Sequence, residues 1–153
     1  MNSLIHLASI IFSSWAIGAI VTRYLHITNL SAASLSNLRL IKSDELNTYL
    51  GVHLFKEIVT KTVYGKINTS LAVNGGNCRE VRELRKKMTD AELGHLIGLV
   101  SAQLILTLVY VKYTNGVFLL LGIVLNVLLN GYPVLLQQYN KARIDKILGK
   151  YCP

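Results

Sequence analysis

Hydrophobic residues fall in three long blocks along this chain, and the charged positions lie almost entirely between them. The first block runs from Leu4 to Val21 and holds no Lys, Arg, Asp or Glu; Arg23 is the first. The second covers Leu93 to Val111 and the third Val117 to Leu136. A helix needs about 20 apolar residues to cross a hydrocarbon core of roughly 30 Å, so each block predicts a membrane span. Only Lys112-Tyr113-Thr114-Asn115-Gly116 separates the last two, an Asn-Gly turn that makes them an antiparallel helical hairpin. The expected helices are 4–22, 90–111 and 117–146. Pro133 kinks the third, because it withdraws a backbone donor and frees the carbonyl one turn earlier, near Leu129.

The stretch between the first and second blocks carries further helical patterning. From Ser43 to Lys66, Leu46, Leu50, Leu54 and Ile58 recur every four residues, and Asp44 and Glu45 place negative charge in the first turn, where the helix dipole favours it. This 43–66 element reads as an amphipathic helix in the membrane interface or as a short membrane element, which leaves three or four spans open. Asn74-Gly75-Gly76-Asn77 breaks the chain. Residues 78–88 then predict a basic cytoplasmic helix, with Val81, Leu84 and Met88 at helical spacing. With no internal repeat, the pattern predicts an all-α integral membrane helical bundle in one domain over 1–153.

Composition sharpens this. The 153 residues are 52% hydrophobic and only 16% charged, against about 25% charged in ordinary globular domains, which excludes a soluble enzyme and a disordered chain. The net charge is nevertheless +8. Of the 16 basic residues, 11 lie between positions 22 and 92, and Lys141, Arg143, Lys146 and Lys150 lie in the tail. The positive-inside rule then puts the middle region and C-terminus in the cytoplasm. Basic residues that avoid the apolar blocks suit anionic headgroups rather than nucleic acid. The first block has no positive n-region and no A-x-A site, so a retained helix is expected, not a signal peptide. Cys78 and Cys152 are too few for a disulfide scaffold and form no CxxC pair, and Cys152-Pro153 is no prenylation box.

Polar residues at membrane depth are the informative ones, because burying them is costly unless they are partnered. Glu92 and His95, at i and i+3, share a helix face at the start of the second span, with Gln103 deeper on the same side. A carboxylate beside an imidazole is the minimal pair for general base catalysis. The competing reading is structural: Thr89-Asp90-Ala91-Glu92 is a T-x-x-E capping box. A second cluster lies on the third helix, with Asn126, Asn130, Tyr132, Gln137, Asn140 and Arg143 around Pro133. Asn126 reads as interhelical glue, and the others as a substrate-binding group near the cytoplasmic surface. Gly94 and Gly98, with Ser14 and Gly18, are small-residue steps that let helices approach closely near His95. Arg79, Arg82, Arg85, Lys86 and Lys87 read first as a topological anchor. His6, His26, His53 and His95 are not spaced as ligand pairs, so no metal is expected. No nucleophile-elbow, Walker or Rossmann fingerprint is present.

Two of these stretches, read together, resemble a family. Ala91-Glu92-Leu93-Gly94-His95, followed by Asn130-Gly131-Tyr132-Pro133 and Gln137-Gln138-Tyr139-Asn140-Lys141-Ala142-Arg143, is similar to the A-E-x-x-H and N-x-Y/V-P…Q-R-Y-N-R-x-R motifs of the glycosyl-4,4'-diaponeurosporenoate acyltransferase family of small bacterial membrane proteins. Gln138 and Lys141 stand where those motifs carry Arg. The resemblance implies transfer of a fatty acyl group to a sugar hydroxyl of a glycosylated carotenoid. His95 would be the base, Glu92 its partner, and Asn130, Asn140 and Arg143 contacts to donor or acceptor. The expectation is therefore a multi-pass protein of the bacterial inner membrane that acylates a hydroxyl of a lipid, glycolipid or glycosylated carotenoid. Its co-substrate would be an acyl-CoA or acyl-carrier thioester, with no cofactor, membrane lipids as partners, and homo- or hetero-oligomers left open. The alternative is a non-catalytic membrane subunit or lipid-binding protein whose polar residues are caps and glue.

Overall fold

The computed structural model describes residues 3–28, 41, 43–61 and 77–152, and it is helical with no strand among them. Its elements are α1 (Ser3–Ile27), α2 (Asp44–Tyr49), α3 (Val52–Lys61), α4 (Cys78–Tyr113), α5 (Gly116–Asn126), a π-helical turn (Val127–Gly131) and α6 (Tyr132–Tyr151). Among the described residues, three stretches are long and apolar enough to cross a membrane: Ser3–Ile27, Cys78–Tyr113 and the continuous run Gly116–Tyr151. The fold is thus an all-α bundle. The described part of α3, 10 residues, is about 15 Å long, against a core of roughly 30 Å. Residues 62–66 of the expected interfacial helix, and 74–76 of the expected break, lie outside the described residues.

Where the sequence pattern suggested two elements parted at Thr89, α4 is one helix of 36 residues. No Gly or Pro interrupts it between Cys78 and Leu93. The Thr89 hydroxyl, instead of capping a new helix, donates to the Arg85 carbonyl at 3.1 Å, the back-bonding that Thr adopts inside a helix. At about 1.5 Å per residue α4 is roughly 54 Å long, so its basic first turns outrun any hydrocarbon core. The hairpin turn lies where expected, but its tight residue is Thr114 and not the Asn-Gly pair, since Gly116 already begins α5. Thr114 takes a positive φ of 48°, and the Asn115 side chain caps α5 by accepting from the Phe118 N–H at 3.0 Å.

The chain divides into two compact units. One comprises residues 1–37 and 90–134, the other 38–89 and 135–153. In the first, α1 packs on α4 and α5 through residues too small to hold the helices apart. A Cβ on Gly18 would lie 2.2 Å from the Gly94 carbonyl oxygen, and one on Gly98 would lie 2.8 Å from Asn130 Oδ1. Leu7, Ile11, Ala102 and Leu106 are buried around these contacts, whereas Leu4, Leu104, Leu108 and Val117 project outward. An apolar exterior on helices of this length is what hydrocarbon solvent demands.

In the second unit, Val81, Met88 and Ile144 form a small core flanked by Leu84 and Leu148. Arg85 pairs with Asp145, its second nitrogen reaching the other carboxylate oxygen at 3.2 Å. Cys78 and Cys152, which spacing alone did not pair, form a disulfide; such a link typically contributes about 2–4 kcal/mol. Ser43 caps α2 by accepting from the Leu46 N–H. Gly51, at φ +70°, ends that turn in the left-handed conformation glycine adopts freely. Asn47 and Val52 face inward, and the stripe Leu46, Leu50, Leu54 and Ile58 is 39–62% exposed.

Candidate functional site

Asn130 organises the polar centre of the first unit. It lies in the π-helical turn directly before Pro133, where the Tyr132 N–H reaches back five residues to the Val127 carbonyl. A π turn accommodates the donor that proline lacks, and such turns are frequent at functional sites. The expected kink at Pro133 thus takes the form of a widened turn that carries Asn130 inward, to full burial. Its amide nitrogen donates to Asn126 Oδ1 at 2.9 Å and to Ser14 Oγ at 3.3 Å. Its oxygen accepts from Trp15 Nε1–H at 3.1 Å and contacts His95 Nδ1 at 3.4 Å. Asn126 in turn donates to the Leu99 carbonyl at 2.9 Å, the interhelical glue expected of it.

These contacts determine the histidine tautomer. An indole N–H can only donate, so the Asn130 atom facing Trp15 is the carbonyl oxygen. That oxygen can only accept, so its contact with His95 requires the proton on Nδ1. In the neutral ring Nε2 then carries the lone pair, the form a general base needs. Asn130 was expected to touch substrate. In the structure both ends of its amide are engaged by protein groups, it has no exposed surface, and its oxygen faces the His95 ring.

His95 is half-buried and borders a groove of about 450 Å³ between α1 and α4. The other polar residues on its walls are Trp15, Thr22, Arg23, His26 and Asp90. His26 Nε2 and Asp90 Oδ1 are 2.9 Å apart. Ala19, Ala91 and Gly94 keep the groove open by their small size. The residues contributed by α1 were not found by sequence reasoning. The signal for them was the Ser14–Gly18 step beside the chain's single tryptophan, which marks where α1 meets the His95 helix.

Glu92 is buried one turn before His95 on α4, on the same helix face by the i,i+3 rule. Tyr132, half-buried, belongs to this unit too, at the end of the π turn. Gln137, Asn140 and Arg143 belong to the second unit. There Lys56 Nζ sits 5.3 Å from the centre of the Tyr139 ring, and His53 meets the same ring edge-on at 4.9 Å. Partial burial, and then the positive charge of Arg143, push the Lys56 ammonium below the usual lysine range. Arg143 therefore belongs to a cationic cluster that includes Lys56, a partner sequence spacing did not suggest.

No curated protein and no solved structure matches the chain. One family model does, that of CrtO, glycosyl-4,4'-diaponeurosporenoate acyltransferase, over residues 23–150. The match takes in both the His95 segment and the Asn130 turn, so the all-helical bundle described above belongs to the glycosyl-4,4'-diaponeurosporenoate acyltransferase family.

Proposed function

We propose that this protein is a membrane-embedded acyltransferase that moves a fatty acyl group from a thioester to a hydroxyl of a lipid, glycolipid or glycosylated carotenoid. The observation that carries the reading is the Trp15–Asn130–His95 arrangement, which holds an imidazole on the groove wall with Nδ1 facing the Asn130 oxygen, so that in the neutral ring Nε2 carries the lone pair. The family's name supports the reaction class.

In the proposed reaction, Nε2 of His95 takes the proton of the acceptor hydroxyl as its oxygen attacks the thioester carbonyl carbon. The tetrahedral intermediate then collapses, the C–S bond breaks, and the departing sulfur recovers the proton from the imidazolium, giving an ester and a free thiol. The Asn130 oxygen, opposite Nε2, stabilises the ring while it carries positive charge. Glu92, one turn away, supplies negative charge on the same helix. Tyr132, Gln137, Asn140 and Arg143 are the proposed polar contacts to donor or acceptor, with an acyl-CoA or acyl-carrier thioester as donor. The basic segments support a location of these groups at the cytoplasmic face of a bacterial inner membrane, where such donors are made.

The test compares lipid and pigment mass spectra from cells expressing the native chain, the His95→Ala variant or neither. An acylated species should appear with the native chain only, and His95→Ala should lower its formation by about 10²–10⁴-fold, the usual contribution of a general base. The variant should still insert in the membrane. An unchanged lipid profile, or full activity in the variant, would overturn the reading and favour a non-catalytic subunit.

A further inference from the structure

Lys56 and Arg143 bring two positive charges together in the second unit with no negative charge between them. Tyr139 and Arg143 lie four residues apart on α6 and share a face, as His53 and Lys56, three apart, do on α3. The two faces meet at the Tyr139 ring, where the Lys56 ammonium stands 5.3 Å from the ring centre and His53 makes its edge-on contact. The carboxylates nearest in sequence are committed elsewhere. Glu57 pairs with Lys61 along α3, and Asp145 pairs with Arg85. Among the described residues, neither Lys56 nor Arg143 has an ion pair with a carboxylate.

Like charges held close together are unfavourable until an anion neutralises them. Partial burial and the Arg143 charge already loosen the hold of Lys56 on its proton. The chemistry of the pair says which anion fits. Arg presents a planar fork to two oxygens and Lys a point charge to a third, the combination that suits phosphate. A phosphate monoester also carries roughly two negative charges near neutral pH, enough for both cations, where a carboxylate carries one.

Helix geometry indicates the side from which the phosphate arrives. At about 3.6 residues per turn, Lys56 lies about 40° around α3 from Val52, which is 1% exposed, and about 160° from Leu54 and Ile58, which are 62% and 54% exposed. With Leu54 and Ile58 in lipid, as the interfacial reading of this helix requires, Lys56 turns away from the headgroups and toward α6. Arg143 and His53 remain exposed beside it. The opening is therefore to water and not to the bilayer.

We infer that Lys56 and Arg143, around the Tyr139 ring, form a phosphate-binding site that takes the phosphate of a water-soluble molecule, the thioester donor. That the molecule is a thioester rests on the reaction proposed above; that it carries a phosphate does not.

The native chain in phosphatidylcholine nanodiscs is titrated by calorimetry with coenzyme A and, in parallel, with pantetheine, which has the same thiol arm and no phosphate. Saturable binding of coenzyme A, competed by inorganic pyrophosphate and absent with pantetheine, is expected. Lys56→Met and Arg143→Gln should each weaken it about ten- to hundredfold, the range for loss of a hydrogen bond to a charged group. Lys56→Met should leave the thermal midpoint unchanged or raised, because it removes repulsion from Arg143, whereas a lysine that only packs on Tyr139 would lower it when lost. Lys56→Arg, which keeps the charge, should keep most of the binding. Equal binding of pantetheine and coenzyme A, or native affinity in both the Met and Gln variants, would overturn the inference. Native mass spectrometry from phosphatidylglycerol nanodiscs examines the other source of phosphate. A phosphatidylglycerol retained by the native chain and lost from the double variant would put a lipid headgroup on the pair and overturn the soluble ligand. Coenzyme A binding without any acylated product in cells would refute the proposed reaction and leave the site standing, and product formed at the native rate by both variants would do the reverse.

Discussion

Asn130 is the residue on which most of the site depends. Replacing it with Ala strips partners from the Trp15 indole, the Asn126 amide and the His95 ring at once. Unsatisfied buried polar groups cost about 1–3 kcal/mol each, although the helices can relax and reduce the sum. Asn130→Ala should therefore lower the thermal midpoint of the detergent-solubilised protein and change Trp15 fluorescence. Asn130→Asp, which keeps the acceptor toward Trp15 and His95 but loses the donor toward Ser14 and Asn126, should retain more activity than Ala. Equal loss in both variants would show that the acceptor does not orient the ring. Asn130 was legible in the sequence as a polar residue at an expensive depth. Its partners were not, because an amide reads the same whether it meets substrate or four other helical residues.

Helix geometry decides how close α1 comes to α4. A methyl group on Gly18 would have to displace a backbone carbonyl, which cannot swing away as a side chain can. Gly18→Ala should therefore force the two helices apart and destabilise by about 1–3 kcal/mol, the range for overpacking. Gly116, at the start of α5, has nothing near its Cβ position. There Ala should be neutral or gain slightly from helix propensity. Thermal unfolding of the two variants checks the contrast, and a Gly18→Ala protein as stable as Gly116→Ala would show that the close approach is not needed. The small-residue steps were visible in the sequence, as was the turn between α4 and α5, whereas the Asn115 cap was seen only in the structure. The continuity of α4 was not, because Thr-x-x-Glu reads as a cap until the Thr89 hydroxyl is seen bonded to Arg85.

For the molecule as a whole, charge and cysteine chemistry bear on the same question. The basic residues argue for a cytoplasmic middle region and tail, yet Cys78 and Cys152 are bonded there, and cytosolic thiol pools keep most cysteines reduced. Orientation in the proposed sense predicts that in living cells both thiols are free, and that a membrane-impermeant maleimide labels them only after the cells are opened. A pair that is oxidised in cells, and labelled from outside after an impermeant reductant, would reverse the orientation and remove cytoplasmic thioesters as donors.

The sequence by itself determined the class of this protein. Three uncharged apolar blocks leave a chain no way to satisfy its backbone in lipid except as helices, and the A-E-x-x-H and Asn130 to Arg143 segments carry the family. Only the tertiary structure decided which groups face one another. Hydrophobic periodicity reports a solvent boundary and says nothing of azimuth between helices, so the partnership of Trp15, Ser14 and Asn130 across more than a hundred residues, the Cys78–Cys152 bond, and a groove walled by Thr22, Arg23 and Asp90 came from packing. The expected pair was Glu92 with His95, neighbours on one helix. The packing brings His95 to Asn130, whose oxygen faces the ring because a widened turn before Pro133 carries it into the core.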